Sequence, residues 1–356
     1  MMRTGRTSPR MGPEAVLEFF VDHIGLGTGF PSARIKLERP RVLSETPSAI
    51  PHRALEFTEV APGVARVGVV FVNAYLVDVS DTSWVLIDAG LPHCSGWIRR
   101  AAQRRYGRDA RPDAIVLTHG HFDHAGSALA LATGWNVPIY AHPLEMPYLT
   151  GRSDYPPKDP TVGGALAMMA RLFPDRGSDF GDRVRALPRD GTVPPLPGWR
   201  AVHTPGHTAG HISLWREADR TLLAGDALAT VNQDSAFGMV VQKREFRRPP
   251  APFTTDWSAA QSSVERLAEL RPTTVSAGHG PPMSGAAVAT ALTEFARRLQ
   301  PPRHGRYVAQ PAVADERGVV SVPPPPPDHL KTAAAVAAIA AAVTTVTLAR
   351  RRNGSR

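Results

Sequence analysis

One cysteine, Cys94, stands in 356 residues. No internal disulfide can form, so the fold does not rest on an oxidising compartment, and a zinc site built of thiolates is excluded. A secretory leader is also missing from the reading. Arg3, Arg6 and Arg10 are followed by no apolar stretch of adequate length, and Glu14, Glu18 and Asp22 interrupt what comes next. The expectation is a catalytic region in the cytoplasm. The formal net charge of +9 suggests a polyanion partner until it is mapped along the chain. Residues 1–53 carry +3, residues 297–356 carry +7, and the 243 residues between them carry −1. A nucleic-acid channel in the centre therefore loses its electrostatic support, and a small-molecule substrate is expected instead. Hydrophobic content of 42% and charge of 21% are those of a soluble globular chain long enough to bury a sizeable core. Oligomeric state leaves no trace in these numbers.

What is abundant is proline, 35 residues placed unevenly. Residues 1–53 read as an N-terminal extension. Residues 13–24 suit a short amphipathic helix, and the glycines at 25, 27 and 29 end it without the flanking strand and helix of a phosphate loop. From 54 to 299 the pattern is regular. Stretches 64–70, 72–79, 84–87, 114–117 and 137–140 read as strands, with helices over 95–106 and 123–132. A second series follows, with strands over 199–202, 211–215, 221–223 and 273–276 and helices over 258–270 and 285–299. Strands then helices, twice over, predict an α/β fold of two face-to-face sheets with helices outside. Residues 143–190 interrupt the series with Met146, Tyr148, Met168, Met169, Phe173 and Phe180. They suit either an inserted helical pair or a cap over a substrate cleft. Residues 300–330, bracketed by Pro301-Pro302 and Pro323 to Pro327, read as an extended linker. In the tail, 331–356, residues 333–349 are uncharged, Ala-rich and closed by Arg350-Arg351-Arg352. Seventeen residues is the lower limit for a bilayer span. Two readings stand: membrane association, or an Ala-rich soluble helix.

The chemistry is concentrated in Thr118-His119-Gly120-His121-Phe122-Asp123-His124. These residues leave the C-terminal end of an apolar strand. In an extended loop, side chains 119 and 121 point the same way, so two imidazoles can chelate one ion. Asp123 and His124, where the chain turns into a helix, face a neighbouring position. Imidazole and carboxylate donors suit zinc, iron or manganese with places left for water. His207, Asp226 and His279 each stand at a strand exit beside a glycine, as a backbone needs when it carries a side chain close to a metal. Among the other histidines, His93, His142, His203 and His211 lie near these motifs. Their default reading is structural, and the alternative is that one of them, with His142 the named candidate, orients a ligand through its ring N–H. Cys94 reads as a small buried residue.

In these motifs, with Asp88 in Ile87-Asp88-Ala89-Gly90, the chain resembles the metallo-β-lactamase fold superfamily of hydrolases over about residues 56–290. The resemblance implies a four-layer αββα sandwich of two mixed β-sheets flanked by helices. It implies that His119, His121 and His207 hold one metal, and that Asp123, His124 and His279 hold a second. Asp226 would bridge the two, and Asp88 would support the site without being a ligand. Two zinc ions, with iron or manganese as alternatives, would lower the pKa of a shared water from about 15.7 toward neutrality and give a hydroxide nucleophile. The metals would stabilise the tetrahedral oxyanion, and Asp123 and Asp226 would be the catalytic carboxylates, Asp123 relaying a proton.

Many true β-lactamases of this superfamily have a cysteine or a non-ligand where Asp226 stands, which favours lactones, thioesters or esters over β-lactams. The quorum-quenching lactonases place a tyrosine soon after the bridging aspartate, whereas this chain has Asp226-Ala227-Leu228-Ala229-Thr230. The basic C-terminal region of the glutathione-thioester hydrolases has no match here either. A mononuclear iron dioxygenase acting on persulfides, with the same fold and a subset of the ligands, is the rival enzyme class.

Overall fold

Seven strands, dense in Val, Ile and aromatics, form the first sheet in plain chain order: β1 (Phe57–Ala61), β2 (Val64–Val69), β3 (Val72–Asp78), β4 (Trp84–Ile87), β5 (Ala114–Val116), β6 (Ile139–Ala141) and β7 (Val184–Ala186). β1 to β4 run antiparallel and β4 to β7 parallel. Parallel neighbours need crossovers, and here these carry α1 (Ser95–Tyr106), α2 (Phe122–Ala125), α3 (Ala128–Trp135), α4 (Met146–Leu149) and α5 (Ala165–Ala170). The second sheet contains β8 (Trp199–His203), β9 (Ile212–Arg216), β10 (Thr221–Gly225), β11 (Thr274–Ala277) and β12 (Met283–Ser284), in the order β12-β11-β10-β9-β8. Helices α6 (Ala236–Val241), α7 (Trp257–Glu269) and α8 (Val288–Arg298) belong to this half. This computed structural model describes residues 57–328 and 332. The readings made for residues 1–53, including the 13–24 helix, and for 333–349 lie outside the described residues.

Alternating side chains of single strands build three apolar layers. In β3, Val72, Ala74 and Leu76 face α1 and α3, while Tyr75 and Val77 face the second sheet. In β10, Leu223 faces the first sheet, and Leu222 and Ala224 pack under α7 and α8 with Val264, Leu267 and Leu292. Two faces buried on each sheet require helices on both outer sides, which is the expected αββα sandwich. Truncating Leu223 to Ala in the middle layer would cost about 2–5 kcal/mol. Hydrogen bonds fix the register between the sheets: Asn73 Nδ2 donates to the carbonyls of Ala277 and Gly280, both at 2.8 Å. Tyr75 Oη donates to Ala277 O at 2.6 Å.

The helix expected over 123–132 is broken in two. A Cβ at Gly126 would lie 2.2 Å from Phe122 O and 2.3 Å from Pro92 N, so the chain turns there against Pro92. Ser127 then bonds outward, donating to Leu91 O at 2.6 Å and accepting from Cys94 N. Cys94 is buried, and burial pushes its thiol up to about 12. The expected linker is also different. Residues 301–328 pack on the body, with Tyr307 buried against Val162, Ala167 and Trp257. They carry a hairpin of β13 (Val313–Asp315) and β14 (Gly318–Ser321). Arg171 pairs with Asp328 at 2.6 Å and Arg189 with Glu316. The prolines limit the backbone without preventing these side-chain contacts. No helix among the described residues is long and apolar enough to cross a membrane.

Candidate metal centre

Four strands deliver the site from one edge of the sandwich. Asp88 follows β4, His119 to His124 follow β5, Asp226 follows β10 and His279 follows β11, while His207 stands in the turn between β8 and β9. All seven residues proposed from the sequence as ligands are brought together. Donor atoms of His119, His121 and His207 lie within 4.8 Å of one another, as do those of His119, His124 and Asp226, and those of Asp123, His124 and His279. Six of the seven are buried, and His121 is half-buried.

The ring hydrogens are assigned by their partners. His279 Nδ1 donates to Phe71 O at 2.9 Å, which leaves Nε2 bare toward Asp226 Oδ2 at 3.2 Å and Asp123 Oδ2 at 3.4 Å. His124 Nδ1 donates to Asp88 Oδ2 at 2.8 Å. His119 Nδ1 donates to Thr118 Oγ1 at 3.1 Å, and that hydroxyl donates to Asp88 at 2.9 Å. His207 Nδ1 donates to Thr254 Oγ1 at 3.3 Å, and that hydroxyl donates to Pro250 O. His119 Nε2 and His207 Nε2 then each lie 3.0 Å from His121 Nδ1. Three ring nitrogens therefore converge where one N–H at most can serve two lone pairs.

Charge follows the same geometry. Burial, reinforced by neighbouring imidazoles, drives His119 and His207 well below the ordinary range and takes His121 to about 3. These rings are neutral, as metal binding requires. Burial opposes charge on His124 as well, but Asp226, Asp88 and Asp123 outweigh it and raise that ring well above 6.5. Burial would raise Asp226, and His279 and His124 instead hold it well below the carboxylate range. Burial pushes Asp123 up.

Two atoms test whether a cation fits. His124 Nε2 and Asp226 Oδ1 are buried with no hydrogen-bond partner, an expensive arrangement for polar groups unless another ligand satisfies them. Close packing of glycine shapes the same place. A Cβ on Gly278 would lie 2.1 Å from Asp226 Oδ1 and 2.6 Å from His124 Cε1. A side chain there would displace the bare donors. The residues fit a divalent cation of borderline softness.

The layer behind the ligands holds what the sequence reading missed. Glu145, fully buried, accepts from Gly120 N at 3.0 Å and from Tyr155 Oη through one oxygen. Its other oxygen accepts from Thr208 Oγ1 at 2.6 Å and Gly210 N at 3.0 Å. It thereby ties the loop of His119 and His121 to the loop of His207. Burial raises its pKa against these four donors. His211, not His142, touches the site: its Nε2 accepts from Asp226 N at 2.8 Å, with Thr204 Oγ1 on Nδ1. His142 instead stacks on His203 with centroids 4.3 Å apart and caps Leu144 N. Asp88 reaches Thr118 and His124 only from a left-handed backbone, φ 57°. That conformation is tolerated best by Asn, Asp and Gly.

The sequence profile of the metallo-beta-lactamase superfamily matches residues 67–279. A probable metallo-hydrolase of Bacillus subtilis (strain 168), YflN, is 45% identical over 244 residues, covering 68% of this chain and 92% of that protein. A second probable metallo-hydrolase of the same organism, YybB, is 29% identical over 169 residues, 48% of this chain and 64% of that protein. Among solved structures, a B3 metallo-beta-lactamase with an active-site glutamic acid aligns with a TM-score of 0.46 at 24% identity. That alignment covers 67% of this chain and 85% of the other. With the fold, the converging donors and the match over more than half its length, the chain belongs to the metallo-β-lactamase superfamily of metal-dependent hydrolases.

Proposed function

We propose that the chain is a dinuclear hydrolase that cleaves an ester-like bond, in a lactone, thioester or ester, with zinc as the metal. The observation that carries this is the position of Asp226. Its Oδ2 lies 3.5 Å from both His124 Nε2 and His207 Nε2 and 3.2 Å from His279 Nε2. A carboxylate within reach of nitrogens from both His119/His121/His207 and Asp123/His124/His279 suits a bridge between two ions. When bound, the ions supply Lewis acidity and bring the pKa of water toward neutrality.

The chain's own residues do the rest. Asp88, Thr118, Thr254 and the Phe71 carbonyl each accept an imidazole Nδ1–H, which orients four rings with Nε2 left for the ligand role. Asp123 lines the cleft with other ligands, and its carboxylate would hold a proton destined for the leaving group. Metal analysis of the purified protein, with a panel of lactones, thioesters, esters and β-lactams, tests the proposal. About two zinc ions per chain with ester-type turnover is the expected result. One iron per chain with oxygen consumption on a persulfide would overturn it in favour of the dioxygenase.

A further inference from the structure

We infer that the non-reacting part of the substrate is an uncharged, apolar chain that leaves the metal centre along an exposed hydrophobic rim; this rests on the hydrolase reading above. Away from the ligands, the cleft is walled by Phe71, Phe122, Leu166, Phe173, Pro250 and Phe253. Phe173 is the hub, with ring centroids 5.1 Å from Phe122 and 6.2 Å from both Phe71 and Phe253. The wall also meets the ligands: Phe71 stacks on His279 at 6.0 Å, and Phe253 lies 5.7 Å from His121. Among the described residues, no lysine or arginine lines the cleft. On the segments that wall the cleft, Arg171 pairs with Asp328, and Arg248 pairs with Asp234 through Nη2. A carboxylate held between these walls would be desolvated against phenyl rings, with no lysine or arginine among the lining residues to receive it. The neutral polar side chain in the wall is Gln233, whose Oε1 is buried without a partner among the described residues. It suits a substrate hydrogen-bonding group beside the scissile bond.

The direction of the chain follows from space. Clear volume between the walls is about 20 Å³, room for about one water, so a long group cannot run inward. It can run outward. The segments that supply Leu166, Phe173 and Gln233 also carry Met168 at 65% exposure, Leu172 at 56%, Phe237 at 75% and Val240 at 42%. These are four of the seven large hydrophobics exposed among the described residues. The segments adjoin, since Ala165 N and Leu166 N donate to the Asp234 and Gln233 carbonyls. Scattered exposed apolar side chains need no explanation, but four of them on two adjoining segments that also wall an apolar cleft mark a binding surface.

The test uses the zinc-loaded full-length chain and p-nitrophenyl esters of acetate, butyrate and octanoate, with the half-ester of suberate as the ω-carboxylate counterpart of octanoate. The expected result is that kcat/KM rises at least about tenfold from acetyl to octanoyl, because added methylenes leave water on the rim, and falls at least about tenfold for the ω-carboxylate. The double variant Phe237→Ser, Met168→Ser should flatten the octanoyl-to-acetyl ratio, which reports on the rim and not on the metals. An acetyl ester cleaved as well as the octanoyl, or a carboxylate accepted equally, overturns the inference and leaves the hydrolase reading standing. If no ester is cleaved, the hydrolase reading is what fails, and calorimetry with octanamide against acetamide decides the rim. Tighter binding of octanamide, lost in the double variant, supports it; equal or no binding overturns it.

Discussion

The two sheets furnish the site in different ways. The first gives four donors from a single loop of six residues, His119 to His124, while the second gives His207, Asp226 and His279 one at a time from three loops. A clustered set is positioned mainly by its own backbone, because its spacing is covalent. A dispersed set is positioned by the packing of one sheet on the other and by side chains that span the gap. Asn73 ties the first sheet to the loop of His279, and Glu145 ties the His119 loop to the His207 loop. The dispersed half should therefore be the more sensitive to changes outside the ligands themselves.

The largest effect is expected where the two halves meet. Asp226→Ala should lower kcat/KM by at least about 10³, some 4 kcal/mol in barrier, and reduce bound metal from about two ions per chain to fewer than one. His121→Ala removes a donor from one group only and should retain about one ion while losing turnover. Metal content and turnover on the same preparations check both; a fully loaded, active Asp226→Ala chain would remove the bridge. Next comes the tie between loops. Glu145→Ala leaves four buried donors without an acceptor, a cost of about 3 kcal/mol or more. Zinc affinity should fall with it, because the His121 and His207 loops lose their common anchor. Denaturant unfolding of the metal-free chain and chelator competition separate the two losses. If neither moves, the loops hold their places without Glu145.

A smaller effect isolates ligand orientation. Asp88→Asn keeps a residue that tolerates the left-handed backbone at φ 57°, but weakens the acceptor for His124 Nδ1–H and Thr118. Metal affinity should fall about 10- to 100-fold with little change in the unfolding midpoint of the metal-free chain. A large fall in that midpoint would assign Asp88 to folding instead.

The same contrast explains what was legible in the sequence. His119 to His124 could be read because ligand types at short spacing have few other uses, and the three dispersed donors because each stands beside a glycine where the chain leaves a strand. The strands of both sheets could be read from apolar stretches, except β1, β7 and the two-residue β12, whose Phe57-Thr58-Glu59-Val60-Ala61, Val184-Arg185-Ala186 and Met283-Ser284 carry no clear buried face. Glu145 was invisible. Its partners include backbone N–H groups, which every residue but proline has, and a lone acid between Leu144 and Met146 looks like any solvated carboxylate. His142 drew attention by proximity in sequence to the motifs, while His211, on the strand-entry side of the second sheet, acquired its role only through the backbone of Asp226. The proline-rich 300–330 stretch misled for a related reason: composition reports backbone stiffness but not a buried Tyr307 or a distant Asp159 that accepts from Arg306 N.

The smallest effect lies away from both halves, at the β9–β10 turn, and gives a baseline for the second sheet without the site. Asp219 accepts from Arg216 Nε at 2.8 Å, Arg216 Nη2 at 2.7 Å and Thr221 Oγ1 at 2.8 Å. Burial would raise its pKa, but the bonds from Arg216 and Thr221 outweigh burial and hold it below the ordinary carboxylate value. A folded-state pKa below the unfolded one means stabilisation that is present above the unfolded value near 3.9 and is lost as pH falls through the folded value. The side chain is 30% exposed, so solvent screening limits the contribution to under about 1 kcal/mol. Asp219→Asn should accordingly lower stability slightly at pH 7 and converge on the parent as pH falls through the folded-state value, read from denaturant unfolding of the metal-free chains at pH 7 and down the acid range. Metal content should not change. If Asp219→Asn instead lost zinc as Glu145→Ala is expected to, the second sheet would transmit any loosening to its ligands, and the special place given to the loop tie would disappear.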